Sequence, residues 1–89
     1  MSQYNFEDAS CDRFVQFGFD HALGYFITVY DEEDEPIVSE DSLFDGLTGV
    51  GLVEQLDKYE PPKEVTDLAT GVTYSWEAVR TRAMLDCPI

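Results

Sequence analysis

A chain of 89 residues, 44% hydrophobic and 13% aromatic, is large enough for one core and too small for two. Its 19 acids face 5 bases for a formal net charge of −14, so its surface repels nucleic acid and anionic lipid and favours a basic partner. High charge alone would suggest disorder, but disordered chains lack this aromatic density, so a folded domain is expected.

Residues 1–11 show no clear period and read as a loosely ordered lead-in. "RFVQFGF", Arg13–Phe19, then alternates, placing Val15, Phe17 and Phe19 on one side of a strand. "DHALG" has turn composition, and "YFITVY" alternates again with Tyr25, Ile27 and Val29 on one side, so 13–30 is predicted to be a β-hairpin with a five-residue loop. The acid run Asp31–Glu35 and Pro36 lead into a short third strand over 37–40, with Pro36 in the loop or at the strand's first position because it donates nothing to a ladder.

Beyond "DSLFDGLTGVG" the period changes. Leu52, Val53, Leu56 and Tyr59 form the stripe of an amphipathic helix, capped by Thr48 and ended before Pro61–Pro62. Gly46, Gly49 and Gly51 weaken its start. A second short helix is expected from Pro62, with Val65, Leu68 and Ala69 inward and Gly71 as its C′ residue. A third, capped by Thr73 or Ser75, places Trp76, Val79 and Ala83 on one face; "GVTYSW" over 71–76 also reads as a fourth strand, and both readings stand. The predicted fold is a single α+β domain over 1–89, a three-stranded antiparallel sheet packed by two or three C-terminal helices. Its core is expected to include Phe17, Phe19, Ile27, Val29, Leu52, Leu56 and Trp76.

No apolar run reaches the roughly 18 residues of a membrane span. The opening "MSQYNFEDAS" resembles neither a secretory signal nor a basic transit peptide, so a cytoplasmic location is expected, with Cys11 and Cys87 reduced rather than joined. The one histidine, His21, sits in a predicted turn with no cysteine near it, and no nucleophile elbow, phosphate-binding glycine loop or C-x-x-C motif is present. A calcium-loop alignment starting at Asp31, Glu33 and Glu35 fails, because Pro36 falls where glycine is needed and Ser42 where the bidentate Glu belongs. The sequence therefore predicts no enzyme, no cofactor and no metal site.

The charge itself is the remaining signal. Residues 31–67 hold thirteen acids against two lysines, whereas residues 68–89 are balanced. The acids expected to meet a partner are Asp31, Glu32, Glu33, Asp34, Glu35, Glu40, Asp41, Asp45, Glu54, Asp57, Glu60 and Glu64. In an extended segment Asp31, Glu33 and Glu35 would stand about 6.7 Å apart in a row. On helices, Glu54 with Asp57 and Glu60 with Glu64 would stand about 5–6 Å apart, and Glu54 would pair with Lys58. Such rows approximate the spacing of backbone phosphates. In size and acidity the chain resembles anti-restriction and anti-CRISPR inhibitors, which implies a nucleic-acid-binding protein as partner and a blocking action. The competing expectation is an assembly domain docking through an apolar surface around Trp76.

Overall fold

The alternation of β-branched and aromatic residues over Arg13–Tyr30 becomes two neighbouring strands of a four-stranded antiparallel meander in the computed structural model, which describes residues 1–8 and 12–89. The strands are β1 (Ser2–Asp8), β2 (Arg13–Asp20), β3 (Gly24–Tyr30) and β4 (Pro36–Asp41), side by side in chain order. A one-turn helix α1 (Ser42–Asp45), a helix α2 (Gly49–Leu56) and a 3-10 turn (Asp57–Tyr59) follow. A small hairpin of β5 (Glu64–Thr66) and β6 (Thr73–Ser75) then leads into helix α3 (Trp76–Met84). The result is an α+β domain with its helices toward the C-terminal half.

Register decides which face becomes the core. Tyr4 pairs with Phe17 and Phe17 with Ile27, while Phe6 pairs with Val15 and Val15 with Val29, so six apolar side chains meet on one face. All six are buried, and Tyr4 stacks on Phe17 with ring centroids 5.1 Å apart. Leu52, Val53 and Leu56 of α2, Val65 of β5, and Val79 and Ala83 of α3 are buried too. Most join the same cluster, with Phe19 and Trp76 packed against it. The opposite face carries a polar row, Asn5, Gln16, Thr28 and Ser39, paired across all four strands.

Close approach explains one of the glycines that weaken the start of α2. A Cβ at Gly49 would collide with the carbonyl oxygen of Ala83, so the glycine lets α2 and α3 touch backbone to backbone. Asp86 Oδ1 accepts the Gly49 N–H at 3.0 Å across the same contact. Thr48 caps α2, its hydroxyl accepting the Gly51 N–H at 3.0 Å.

Three expectations are corrected. The lead-in is ordered over Ser2–Asp8, because Tyr4 and Phe6 complete the core face that β2 leaves open on that side. The helix expected from Pro62 to Gly71 is a β-hairpin: Val65 is buried as expected, but Leu68 and Ala69 are exposed. The reason is Asp67, whose carboxylate accepts the Ala69 N–H at 3.0 Å and closes a turn where a helix would have continued. Gly71 takes φ 75° inside that hairpin's turn, not at a helix end. Third, the β2–β3 connection is three residues, 21–23, not five. Both readings of 71–76 are partly realised, since Thr73–Ser75 is a strand and Ser75 caps α3 by accepting the Ala78 N–H at 3.1 Å. Pro36 occupies the first position of β4. Cys87 is half-buried, and its expected relation to Cys11 lies outside the described residues.

Candidate functional site

In an up-and-down meander alternate connections share an end of the sheet. The end of β1 and the start of β2 therefore lie beside the β3–β4 loop, far from α1 and the β2–β3 turn. This brings Glu7, Asp8 and Asp12 beside Asp31, Glu32 and Asp34, the six acids that, with Arg13 and Phe14, line a cleft of about 260 Å³. A second concavity of about 420 Å³ shares Asp12, Arg13, Asp31 and Glu32 and adds Glu33. Asp8 is only 4% exposed, whereas Glu32, Glu33, Asp34 and Glu35 face solvent. Six acids against one arginine leave the cleft net negative, and low-dielectric walls focus that field outward, so this end of the sheet attracts cationic side chains.

Within the loop the acids divide into supports and exposed charges. The Asp31 carboxylate accepts N–H bonds from Glu33 at 2.9 Å and Glu35 at 3.0 Å, and the Asp31 N–H donates to the Glu35 carbonyl at 2.9 Å. Asp34 takes φ 59°, the left-handed conformation that such a closed loop requires. The loop is thus a tight, self-bonded turn. The extended row of Asp31, Glu33 and Glu35 does not form, because Asp31 is spent on holding the other two.

The remaining predicted acids are spread over other elements. Glu40 is half-buried opposite Ile27, on the core side of β4. Asp41 and Asp45 close α1: the Asp41 carboxylate accepts the Phe44 N–H at 2.7 Å, and Asp45 accepts the Asp41 N–H at 3.0 Å. They stand at the far end of β4 from the acid loop, a strand of six residues and about 20 Å away. Glu54 is exposed on α2, and Asp57 faces Arg80 at 3.6 Å, a half-exposed pair that contributes little. Glu60 lies past the 3-10 turn at φ 50° and Glu64 opens β5, so the two do not share a helix as expected. Lys58 reaches Gln55 Oε1 at 3.5 Å rather than Glu54. None of Glu40, Asp41, Asp45, Glu54, Asp57, Glu60 or Glu64 lines the two clefts.

Sequence reasoning missed Glu7 and Asp8 because it missed β1, and Asp12 because it stands just before β2, apart from the acid run. The signal was present in "SQYNFED", where Tyr4 and Phe6 alternate with polar residues, the same period-two pattern used for β2.

Other titratable groups have structural explanations. Burial, and next the negative charge of Asp67, raise Tyr4 above the usual tyrosine range; its hydroxyl donates to the Ile89 carbonyl at 2.8 Å. Burial and then Asp86 raise Tyr25, which donates to the Cys87 carbonyl at 2.7 Å. Asp20 is held below the usual carboxylate range by the N–H groups of Ala22 and Leu23 in the β2–β3 turn. His21 is exposed, its ring edge-on to Phe19. Among the described residues no group of three or more His, Cys, Asp or Glu side chains is arranged to hold a metal ion, and no helix is long and apolar enough to cross a membrane. No protein-family model matches the chain, and no curated protein or solved structure matches it significantly.

Proposed function

We propose that this chain is a non-catalytic binding protein for a basic surface on a partner protein, and that it acts there as a nucleic-acid mimic that blocks the partner. The observation that carries this reading is the convergence of Glu7, Asp8 and Asp12 with the acid loop at one end of the sheet, around a single arginine. Two segments far apart in sequence supply charge of the same sign to one cleft, which a solubilising loop alone would not require. A partner that binds nucleic acid offers the complementary surface, since it already presents Lys and Arg to a polyanion.

The competing reading, apolar docking around Trp76, draws less support. Trp76 is half-buried and packs edge-on against Phe17 with centroids 5.7 Å apart, so much of its ring is committed to the core.

The test neutralises the exposed loop acids with Glu32→Gln, Glu33→Gln, Asp34→Asn and Glu35→Gln while keeping Asp31, which holds the loop's shape. Proteins retained by the tagged parent and by this variant are compared from native lysate at about 50 mM and about 300 mM salt, across which screening rises steeply. The expected result is a partner retained by the parent at low salt, released by high salt and lost from the variant, mainly through a slower on-rate. Equal retention of every partner by parent and variant at low salt would end the proposal.

A further inference from the structure

The least covered large apolar side chains in the described structure include an adjacent pair, Leu43 at 61% exposure and Phe44 at 79%. Isolated exposed apolar residues are ordinary on protein surfaces. This pair differs in how firmly it is held. Asp41 accepts the Phe44 N–H at 2.7 Å and Asp45 accepts the Asp41 N–H at 3.0 Å. The Leu43 N–H donates to the Leu23 carbonyl at 3.1 Å, and the Gly46 N–H to the Ser42 carbonyl at 3.2 Å. The Ser42 hydroxyl, which also donates to the Leu47 carbonyl, accepts the Tyr25 N–H at 2.9 Å. Gly24, at φ 75°, lacks the Cβ that would run into the Ser42 side chain, so α1 seats directly on the β2–β3 turn. A four-residue helix with no buried residue of its own is thus fixed to the sheet at both ends and presents Leu and Phe outward.

We propose that Leu43 and Phe44 are the apolar anchor of the interface, inserting into an apolar pocket rimmed by lysine or arginine on the partner protein. This rests on the reading of the chain as a binder of basic protein surfaces. Charge complementarity selects the occupant. Glu40, Asp41 and Asp45 flank the pair, and no lysine or arginine occurs between Arg13 and Lys58. An acidic rim would be repelled, and a second copy would bring −14 against −14. Division of labour follows from physics: the surrounding acids accelerate encounter, and a pre-ordered aromatic entering a dry pocket slows dissociation without an ordering cost.

The experiment places a photo-crosslinking benzoyl-phenylalanine at position 44 in the full chain, and in a control at Leu68 of the β5–β6 turn, also an exposed apolar position. Cross-linking is done in native lysate, with unlabelled parent, Phe44→Ala, and the loop-neutralised quadruple variant as competitors, after a cooperative melting transition no lower than the parent's confirms that each is folded. The expected result is a cross-link from position 44 and not from 68, to a partner peptide in which apolar residues are flanked by Lys or Arg. Parent should compete it away, and Phe44→Ala should need about thirty-fold or more higher concentration to do so. Competition by Phe44→Ala equal to that of parent, a partner peptide without basic residues, cross-links only to a second copy, or no cross-link from position 44 each overturns the anchor. If the quadruple variant competes like parent while Phe44→Ala fails, the anchor stands and the acid-loop reading falls; the reverse pattern leaves the acid-loop reading and removes the anchor.

Discussion

Phe17 sits where three strands and the helical layer meet. It is fully buried, stacks on Tyr4, and takes edge-on contacts from Phe6 at 6.1 Å and Trp76 at 5.7 Å. Leu56, equally enclosed, closes the same core from the last turn of α2. Removing either side chain forfeits its burial and leaves a cavity that rigid neighbours on several elements cannot collapse to fill. Phe17→Ala is expected to cost about 3–5 kcal/mol and Leu56→Ala about 2–5 kcal/mol, measured by urea denaturation. Phe44→Ala, by contrast, is expected to leave stability within about 0.5 kcal/mol of the parent, because the side chain contacts solvent and its backbone bonds survive the change. The same denaturation series checks both expectations, and a large loss at Phe44 would mean that α1 is packed rather than displayed.

At the scale of elements, the small β5–β6 hairpin depends on one carboxylate. Asp67 is 5% exposed; its Oδ1 accepts the Gln3 N–H at 3.1 Å and the Ala69 N–H at 3.0 Å, and its Oδ2 accepts the Thr70 hydroxyl at 3.3 Å. The neighbouring Leu68 N–H donates to the Gln3 carbonyl at 2.8 Å. Asp67 therefore both shapes its own turn and ties that turn to β1. Asp67→Ala leaves these donors without their acceptor and is expected to cost about 2–3 kcal/mol, with hydrogen exchange rising in β1 and β5 before the β2–β3 hairpin. Unchanged protection in β1 would show that the strand is held by β2 alone.

Two expectations belong to the whole molecule. With −14 on a body of 31 × 28 × 22 Å, like charges oppose compaction at low ionic strength. Raising salt from about 10 to about 150 mM shortens the screening length from roughly 30 to 8 Å and is expected to raise Tm; no change or a fall would mean that the acids are balanced locally. The second concerns alkali. Tyr4 and Tyr25 have folded-state pKa values raised above their unfolded ones, so each favours the neutral phenol in the fold. Their contribution is intact below the ordinary tyrosine value of about 10 and is lost as pH rises through the raised folded-state values. Tm is expected to fall steeply above about pH 10, and Tyr25→Phe to soften that fall even though it loses the bond to the Cys87 carbonyl. An identical alkaline profile for parent and variant would assign the loss to other groups.

The α+β class, the hairpin over β2 and β3, the place of Pro36, the Thr48 cap and the inward stripe of α2 were all legible in the sequence, because each depends on local periodicity or on the chemistry of a single residue. So was the acidity of residues 31–45, as composition. What only the tertiary structure decided is which charges meet and which of them are occupied. Ser2–Asp8 has just two large apolar residues and becomes a strand because β2 offers it an open edge, and through it Glu7 and Asp8 reach the acid loop. Asp31, Asp41 and Asp45 look like their neighbours in sequence, yet they accept backbone N–H groups and serve the fold. The stretch expected to be a helix from Pro62 becomes a hairpin because Asp67 closes a turn on Ala69 and ties that turn to Gln3 of β1. The strands at Ser2–Asp8 and Glu64–Thr66 rest on partners distant in sequence, and the three aspartates on which way a carboxylate turns within its own loop, and local periodicity encodes neither.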